Sequence, residues 1–202
     1  MVSAIVLAAG ESRRMGAQNK LLLPFRGKTL LETVVDNILA SNAFETIVVV
    51  GHQAEQIEKV LSNRDVRFVE NPRYRNGMTT SIQAGVNTAS PQASGFMICL
   101  SDLPFITPSA FNRLIDCFTQ VSAAEIRAIV QPEFKGQPGN PVIFPAAYKS
   151  EILEHTGANG CKAIVAAHPD KITRIEMKSD HILRDIDVLD DYERLNAKKS
   201  IK

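Results

Sequence analysis

The chain has 202 residues, 45% of them apolar and 22% charged, with 23 Lys or Arg against 22 Asp or Glu for a net charge of +1. That length and apolar fraction fit one compact domain with a continuous core, and they exclude a disordered or collagen-like chain. The balanced charge excludes a global field that would draw nucleic acid or an anionic membrane surface, so charge-based recognition has to be local.

Short β-branched runs alternate with segments of helical periodicity, the pattern of an α/β sheet with helices on its faces. Strands are predicted at 4–7, 46–50, 66–69, 96–100, 127–131, 141–144 and 172–176. Between the first two, Leu30, Leu31, Val34, Val35, Ile38 and Leu39 form one apolar helical stripe. Ile57, Val60 and Leu61 repeat it. Thr107-Pro108 then supplies a cap and a first helical position before Phe111, Leu114, Ile115 and Phe118. These read as parallel crossover units. Gly136-Gln-Pro-Gly-Asn-Pro141 is dense in turn formers and separates two strands, so a β-hairpin or a mobile loop is expected there. Residues 179–195 read as a strand, with His181 to Ile186 extended, followed by a helix beginning near Asp190; residues 196–202 are expected to fray. No repeat or linker divides the chain, so one domain spanning 1–202 is expected.

The early apolar run at 4–9 is far shorter than the about 20 residues of a membrane span, and no basic segment precedes it. A soluble cytoplasmic protein is the expectation. Cys99, Cys117 and Cys161 are too scattered for a disulfide framework or zinc spacing and read as reduced, buried packing residues. His52, His155, His168 and His181 share no ligand spacing and are assigned no chemistry.

The strongest chemical signal follows the first strand: Leu7-Ala8-Ala9-Gly10-Glu11-Ser12-Arg13-Arg14-Met15-Gly16, then Lys20. In an open α/β sheet, ligands bind beyond the carboxyl ends of the strands, where small residues let backbone N–H groups approach a phosphate. From Gly10 to Lys28, five cations (Arg13, Arg14, Lys20, Arg26 and Lys28) stand against one acid, Glu11, which makes a local positive field. The plain alternative is a glycine turn among solvated basic residues. The loop is neither a P-loop nor a G-x-G-x-x-G, since no Gly-Lys-Ser/Thr closes it and position 12 is Ser. Asp102 follows the strand at 96–100, where an exposed carboxylate suits Mg²⁺ against nucleotide phosphates or, alternatively, an Asx-turn before Leu103-Pro104. Asn76-Gly77-Met78-Thr79-Thr80-Ser81 precedes a helix carrying Ile82, Val86 and Ala89. A glycine followed by hydroxyls there suits an anion or a nucleobase, or simply an N-cap.

The segment from Leu7 to Gly16, with Lys20 and Leu22-Leu-Pro24, resembles the signature of nucleotidyltransferases with a glycosyltransferase-A-like Rossmann fold. Within them it is most similar to the molybdopterin cytidylyltransferase branch. Val50-Gly51-His52, Asn71 to Ser81, Ser101-Asp-Leu-Pro-Phe105 and Asp185-Ile-Asp187 follow in that family's order, so the resemblance spans nearly the whole chain. It implies a three-layer Rossmann-like α/β domain, its sheet mostly parallel with an antiparallel element. It implies nucleotide contacts by Leu7, Ala8, Ala9, Gly10, Ser12, Arg14, Lys20, Gly51, Asn76, Gly77, Met78 and Ser81, with Lys20, Arg14 and Asp102 catalytic. It places Mg²⁺ on Asp102 and Asp187. Asp185, in an extended run, would point to the opposite face, so Asp187 is the favoured second carboxylate.

Gly139-Asn-Pro-Val-Ile-Phe144 and Gly157-Ala-Asn-Gly-Cys-Lys162 resemble the family's acceptor-side segments, with Asn140 where His is usual and Lys162 where Arg is usual. Lys keeps the charge without Arg's bidentate geometry. Ala9 matches the cytidylyl form, the related guanylyltransferases tending to carry Gly there. The implied reaction is Mg²⁺-dependent transfer of CMP from CTP, or another NTP, to the terminal phosphate of molybdopterin, with pyrophosphate leaving. Implied partners are that acceptor and, transiently, a molybdenum oxidoreductase or its chaperone, with no nucleic acid and no membrane. Rival readings are the same chemistry on a sugar phosphate or other cofactor, and a cofactor- or nucleotide-binding chaperone without turnover.

Overall fold

Side chains of successive strand residues point to opposite faces of a sheet, so a strand apolar throughout needs cover on both sides. The computed structural model describes residues 1–11 and 19–186. Its elements run β1 (Val2–Leu7), β2 (Pro24–Phe25), β3 (Lys28–Thr29), α1 (Leu30–Leu39), β4 (Glu45–Val50), α2 (Ala54–Val60), β5 (Arg67–Glu70) and α3 (Met78–Thr88). They continue with β6 (Gly95–Leu100), α4 (Pro108–Ser122), β7 (Ile129–Phe134), β8 (Gln137–Pro138), β9 (Val142–Pro145), α5 (Lys149–Glu154), α6 (Lys162–Ala167) and β10 (Ile172–Glu176).

The main sheet is ordered β10-β7-β9-β6-β1-β4-β5, with β8 paired to β7. Strands β6, β1, β4 and β5 are mutually parallel, Ile5 standing opposite Ile47 and Ile98, whereas β9 runs against both β6 and β7. The outer strands β5 and β10 expose Arg67 and Glu70, and Arg174 and Glu176, respectively. On one face Ala4 and Val6 pack with Leu31 and Val35 of α1, Ile57 of α2 and Phe111 and Leu114 of α4. On the other, Ile5, Ile47 and Val49 pack with Ile82 and Val86 of α3, Ile152 of α5 and Ile164 of α6. The result is the expected three layers.

Helix α1 starts on a capping box: Glu32 N donates to Thr29 Oγ1 at 3.1 Å, and Thr29 N donates to Glu32 Oε2 at 2.7 Å. Thr107 caps α4 and Pro108 occupies its first turn, as the dipeptide predicts. Turn formers at 136–141 do bound a hairpin, β7 to β8, before the chain enters antiparallel β9. Helices α5 and α6 and the β2–β3 hairpin are additional. Each helix has six residues, fewer than two turns, so neither shows an apolar repeat in the sequence.

One expectation is overturned. The run His181 to Ile186 is not a strand: Asp180–Leu183 is a 3₁₀ turn, followed by three residues without regular structure. Ile182 and Ile186 are both buried in the core, and it is this anchoring that produces the apolar spacing. The helix expected near Asp190 and the fraying end at 196–202 lie outside the described residues. Among the described residues, no helix is long and apolar enough to cross a membrane. All three cysteines are free; Cys99 and Cys161 are buried, and Cys117 is half-buried.

Candidate active site

A cavity of about 710 Å³ opens beyond the carboxyl ends of β1 and β6. The parallel strands bring these ends together, and Ser101 ties them, its Oγ donating to Leu7 O at 2.6 Å. Asp102 follows at once. Lys20, in a 3₁₀ turn capped by the Asn19 side chain, donates from Nζ to Asp102 Oδ2 at 2.7 Å, and the two side chains are only 14% and 18% exposed. Asp102 Oδ1 is buried and has no hydrogen-bond partner among the described residues. The expected exposed carboxylate is therefore mostly enclosed, because Lys20 closes over one oxygen. Ile186 N donates to Asp102 O at 3.0 Å, which brings Asp185 onto the cavity wall.

A hard cation such as Mg²⁺ takes one or two protein carboxylates and completes its shell with water and substrate phosphates. The orphaned Oδ1 of Asp102, in a cavity that Asp185 also lines, meets that requirement.

The opposite wall is the start of α3. Gly77, at φ +106° and ψ 176°, occupies backbone space reserved for glycine, and a Cβ on it would stand 2.6 Å from Ala158 O. The three hydroxyls after it diverge. Thr79 turns to the segment between α5 and α6, Thr80 Oγ1 donates back to Arg73 O and Gly77 O, and Ser81 lines the cavity. Ser81 Oγ accepts from Asn71 Nδ2 at 3.0 Å, which leaves its own proton to donate. Beside it Tyr74 packs over Gly51, and the Arg75 guanidinium lies 5.5 Å from the Tyr74 ring and 3.4 Å from Glu11 Oε1.

Leu7, Ala9, Gly10, Lys20, Gly77, Met78, Ser81, Asp102 and Lys162 thus share one cavity, as the resemblance groups them. Ala8 does not reach it, being buried in the core beside α1. Gly51 lies beneath the Tyr74 ring, and Asn76 is exposed off the wall. Asn140 also stands off the wall, its N–H donating to Ile182 O at 3.2 Å. Ser12, Arg14 and Asp187 lie outside the described residues.

Two expectations change. The positive field is narrower than the charge tally: Arg26 stacks on Phe25 and Phe105 at 5.2 and 5.4 Å, and Lys28 pairs with Asp36, because the β2–β3 hairpin carries both away. The facing argument against Asp185 also fails, because it assumed an extended run and the chain there is a 3₁₀ turn and an irregular stretch. Sequence reasoning missed Tyr74, Arg75 and Glu11. An aromatic and a cation shortly before Gly77 were the available signal.

A family model described as a MobA-like NTP transferase domain matches residues 4–172. The chain belongs to this family. This MobA-like protein is 25% identical over 194 residues to the molybdenum cofactor cytidylyltransferase of Escherichia coli K12, covering 95% of this chain and 93% of that one. It is also 25% identical over 197 residues to nicotine blue oxidoreductase of Paenarthrobacter nicotinovorans, covering 96% of each. Among solved structures, a nucleotidyl transferase from Methanothermobacter thermautotroptrophicus matches with a TM-score of 0.81 at 25% identity, over 98% of this chain and 97% of that one. The protein is a nucleotidyltransferase of Rossmann-like fold, as its motifs imply.

Proposed function

We propose that this MobA-like protein transfers CMP from CTP to the terminal phosphate of molybdopterin. The observation that carries the reading is the Asp102–Lys20 pair, a strand-end carboxylate with one oxygen held by lysine and the other buried and unpartnered among the described residues. An oxygen of the acceptor phosphate forms a bond to the α-phosphorus of CTP while the bond from that phosphorus to the bridging oxygen breaks, and pyrophosphate leaves. The attacking phosphate is already deprotonated near neutral pH, so the chain needs no general base. Mg²⁺, held by Asp102 with Asp187 or Asp185, supplies charge neutralisation to the triphosphate when bound.

The chain's own task is positioning and electrostatic stabilisation. Lys20, steered by Asp102, faces charge building on the leaving oxygen, and the loop at Ala9 and Gly10 faces the phosphates, a task in which the resemblance also enlists Arg14. Ser81 donates to the polar edge of the base, and the Ala9 methyl narrows the space above the loop toward a pyrimidine. Lys162 lines the cavity without an ion-pair partner among the described residues and meets the acceptor phosphate. Alignment with the Escherichia coli cytidylyltransferase along nearly all of both chains supports CTP and molybdopterin as the substrate pair.

The test is pyrophosphate release from CTP, GTP, ATP and UTP, each with and without molybdopterin, the pterin product being weighed by mass spectrometry. CTP with molybdopterin is expected to yield the cytidylylated pterin, with kcat/KM about 10–200-fold above GTP, the range one methyl in a pocket allows. Better use of GTP or ATP overturns the nucleotide assignment. Release with a sugar phosphate in place of molybdopterin overturns the acceptor.

A further inference from the structure

Two side chains one turn apart on α3, Thr79 and Gln83, point away from the cavity toward the chain joining α5 to α6. Gln83 Nε2 lies within hydrogen-bond distance of the carbonyls of Ile152, Leu153 and His155, at 3.1, 3.0 and 2.9 Å, where α5 ends; Ile152 O also accepts from His155 N at 3.4 Å. Thr79, 3% exposed, donates from Oγ1 to Gly157 O and accepts from Gly160 N at 3.0 Å. Met78 N adds a bond to Ala158 O at 3.1 Å. The segment 156–159 is itself exposed. Two residues after Gly160, Lys162 begins α6 on the cavity wall.

We infer that Thr79 is a positioning residue for Lys162, and so for a phosphate of the acceptor; this rests on the reading of Lys162 given above. A lysine ammonium acts as a point charge, and its effect on a phosphate depends on where its backbone is held. Here the backbone is the first residue of α6, and the chain that leads into it runs through the exposed stretch 156–159 and Gly160. A single buried hydroxyl grips both ends of the turn from Gly157 to Gly160. The same helical turn presents Met78 and Ser81 to the nucleotide side, so Thr79 sets the spacing between the two substrate ends.

The test compares Thr79→Val, which keeps the shape and removes the hydroxyl, with Thr79→Ser, Lys162→Ala and the Thr79→Val/Lys162→Ala double variant. KM for molybdopterin and for CTP is read from pyrophosphate release, and deuterium uptake of residues 155–162 is read on each free protein. Thr79→Val is expected to raise the molybdopterin KM about tenfold, as loss of a buried hydrogen-bond pair allows, with the CTP KM within about twofold. The double variant should be no worse than Lys162→Ala, since the two act through one contact. Exchange at 155–162 should accelerate in Thr79→Val and stay at the wild-type rate in Thr79→Ser. Additive losses, equal rises in both KM values or unchanged exchange would overturn the inference. Lys162→Ala with an unchanged molybdopterin KM would remove the phosphate contact and the positioning role with it, while continued transfer to molybdopterin would leave the proposed reaction standing. Should molybdopterin prove not to be an acceptor, deuterium uptake without ligand still decides whether Thr79 holds the turn.

Discussion

Gly77→Ala and Gly10→Ala separate a glycine that the fold needs from one that the ligand needs. At Gly77 the backbone lies at φ +106°, and a new Cβ would stand 2.6 Å from Ala158 O and 3.1 Å from Ala158 Cβ. Alanine there has to adopt a conformation costing about 1–3 kcal/mol, and its Cβ also pushes α3 away from the segment beside it. Withdrawal breaks the Met78–Ala158 hydrogen bond, a further loss of about 0.5–1.5 kcal/mol. The expected destabilisation centres near ~3 kcal/mol, which for a chain of this length lowers the melting temperature by roughly 6–12 °C. A Cβ at Gly10, by contrast, meets nothing within 4 Å among the described residues. Gly10→Ala should therefore melt within about 2 °C of wild type, since substitutions that touch nothing change stability by only about ±0.5 kcal/mol. On the proposed reading its methyl stands where phosphates approach the loop, so CTP affinity should fall. Thermal unfolding by circular dichroism gives the first quantity and titration calorimetry with CTP the second. Wild-type melting of Gly77→Ala, or equal destabilisation of both variants, would refute the reasoning.

Asp102→Asn and Lys20→Ala should each cost about 10²–10³ in kcat, or about 2.7–4 kcal/mol, with folding retained; turnover near wild type in an intact fold would remove that residue from the mechanism. Burial alone would raise the carboxyls of Glu32 and Asp36, but hydrogen bonds from Thr29 to the first, from Lys28 to the second, and the Arg64 charge beside both hold them below their ordinary values. Lowered native values mean that this stabilisation is complete above about pH 4–5 and drains as pH falls through the native titrations. Arg64→Leu should therefore flatten the loss of stability between pH 5 and pH 3 seen by urea unfolding; an unchanged slope would count against the pairing. Burial pushes the Cys161 thiol up to about 12 and raises Cys99 as well, whereas the half-buried Cys117 has Arg113 opposing its rise. Since the thiolate is the reactive form, a disulfide reagent at pH 8 should label Cys117 first, and equal rates at Cys161 would contradict this.

What the sequence discloses depends on how local the cause is. Leu30, Leu31, Val34, Val35 and Ile38 announce α1 because a long helix repeats its buried face. The six-residue α5 and α6 are too short to repeat anything, so Ile152 and Ile164 look like isolated apolar residues. Around Ile182 and Ile186, apolar and polar residues interleave in an irregular segment anchored on the core, and that pattern cannot be told from a strand by spacing alone. Asp102 and Gly10 are readable because strand ends in such sheets are where ligands sit. The Lys20 contact with Asp102 and the cover of Gly51 by Tyr74 join residues far apart in the chain and emerge only with the fold. Charge counting misplaced Arg26 and Lys28 for the same reason: it records how many cations are near in sequence and nothing of their direction.

The outer strands have a bearing on how copies of the chain behave toward one another. A free strand edge offers a row of N–H and C=O groups that another chain can extend into a continuous intermolecular ribbon. Here β5 bears Arg67 and Glu70, and β10 bears Arg174 and Glu176, all exposed. A foreign strand laid along either margin would have to strip water from these charges, a penalty that the apolar interior strands could not impose. Resistance to aggregation therefore resides at the rim of the sheet, and replacing those four residues with β-branched ones would create a sticky border while leaving the interior untouched.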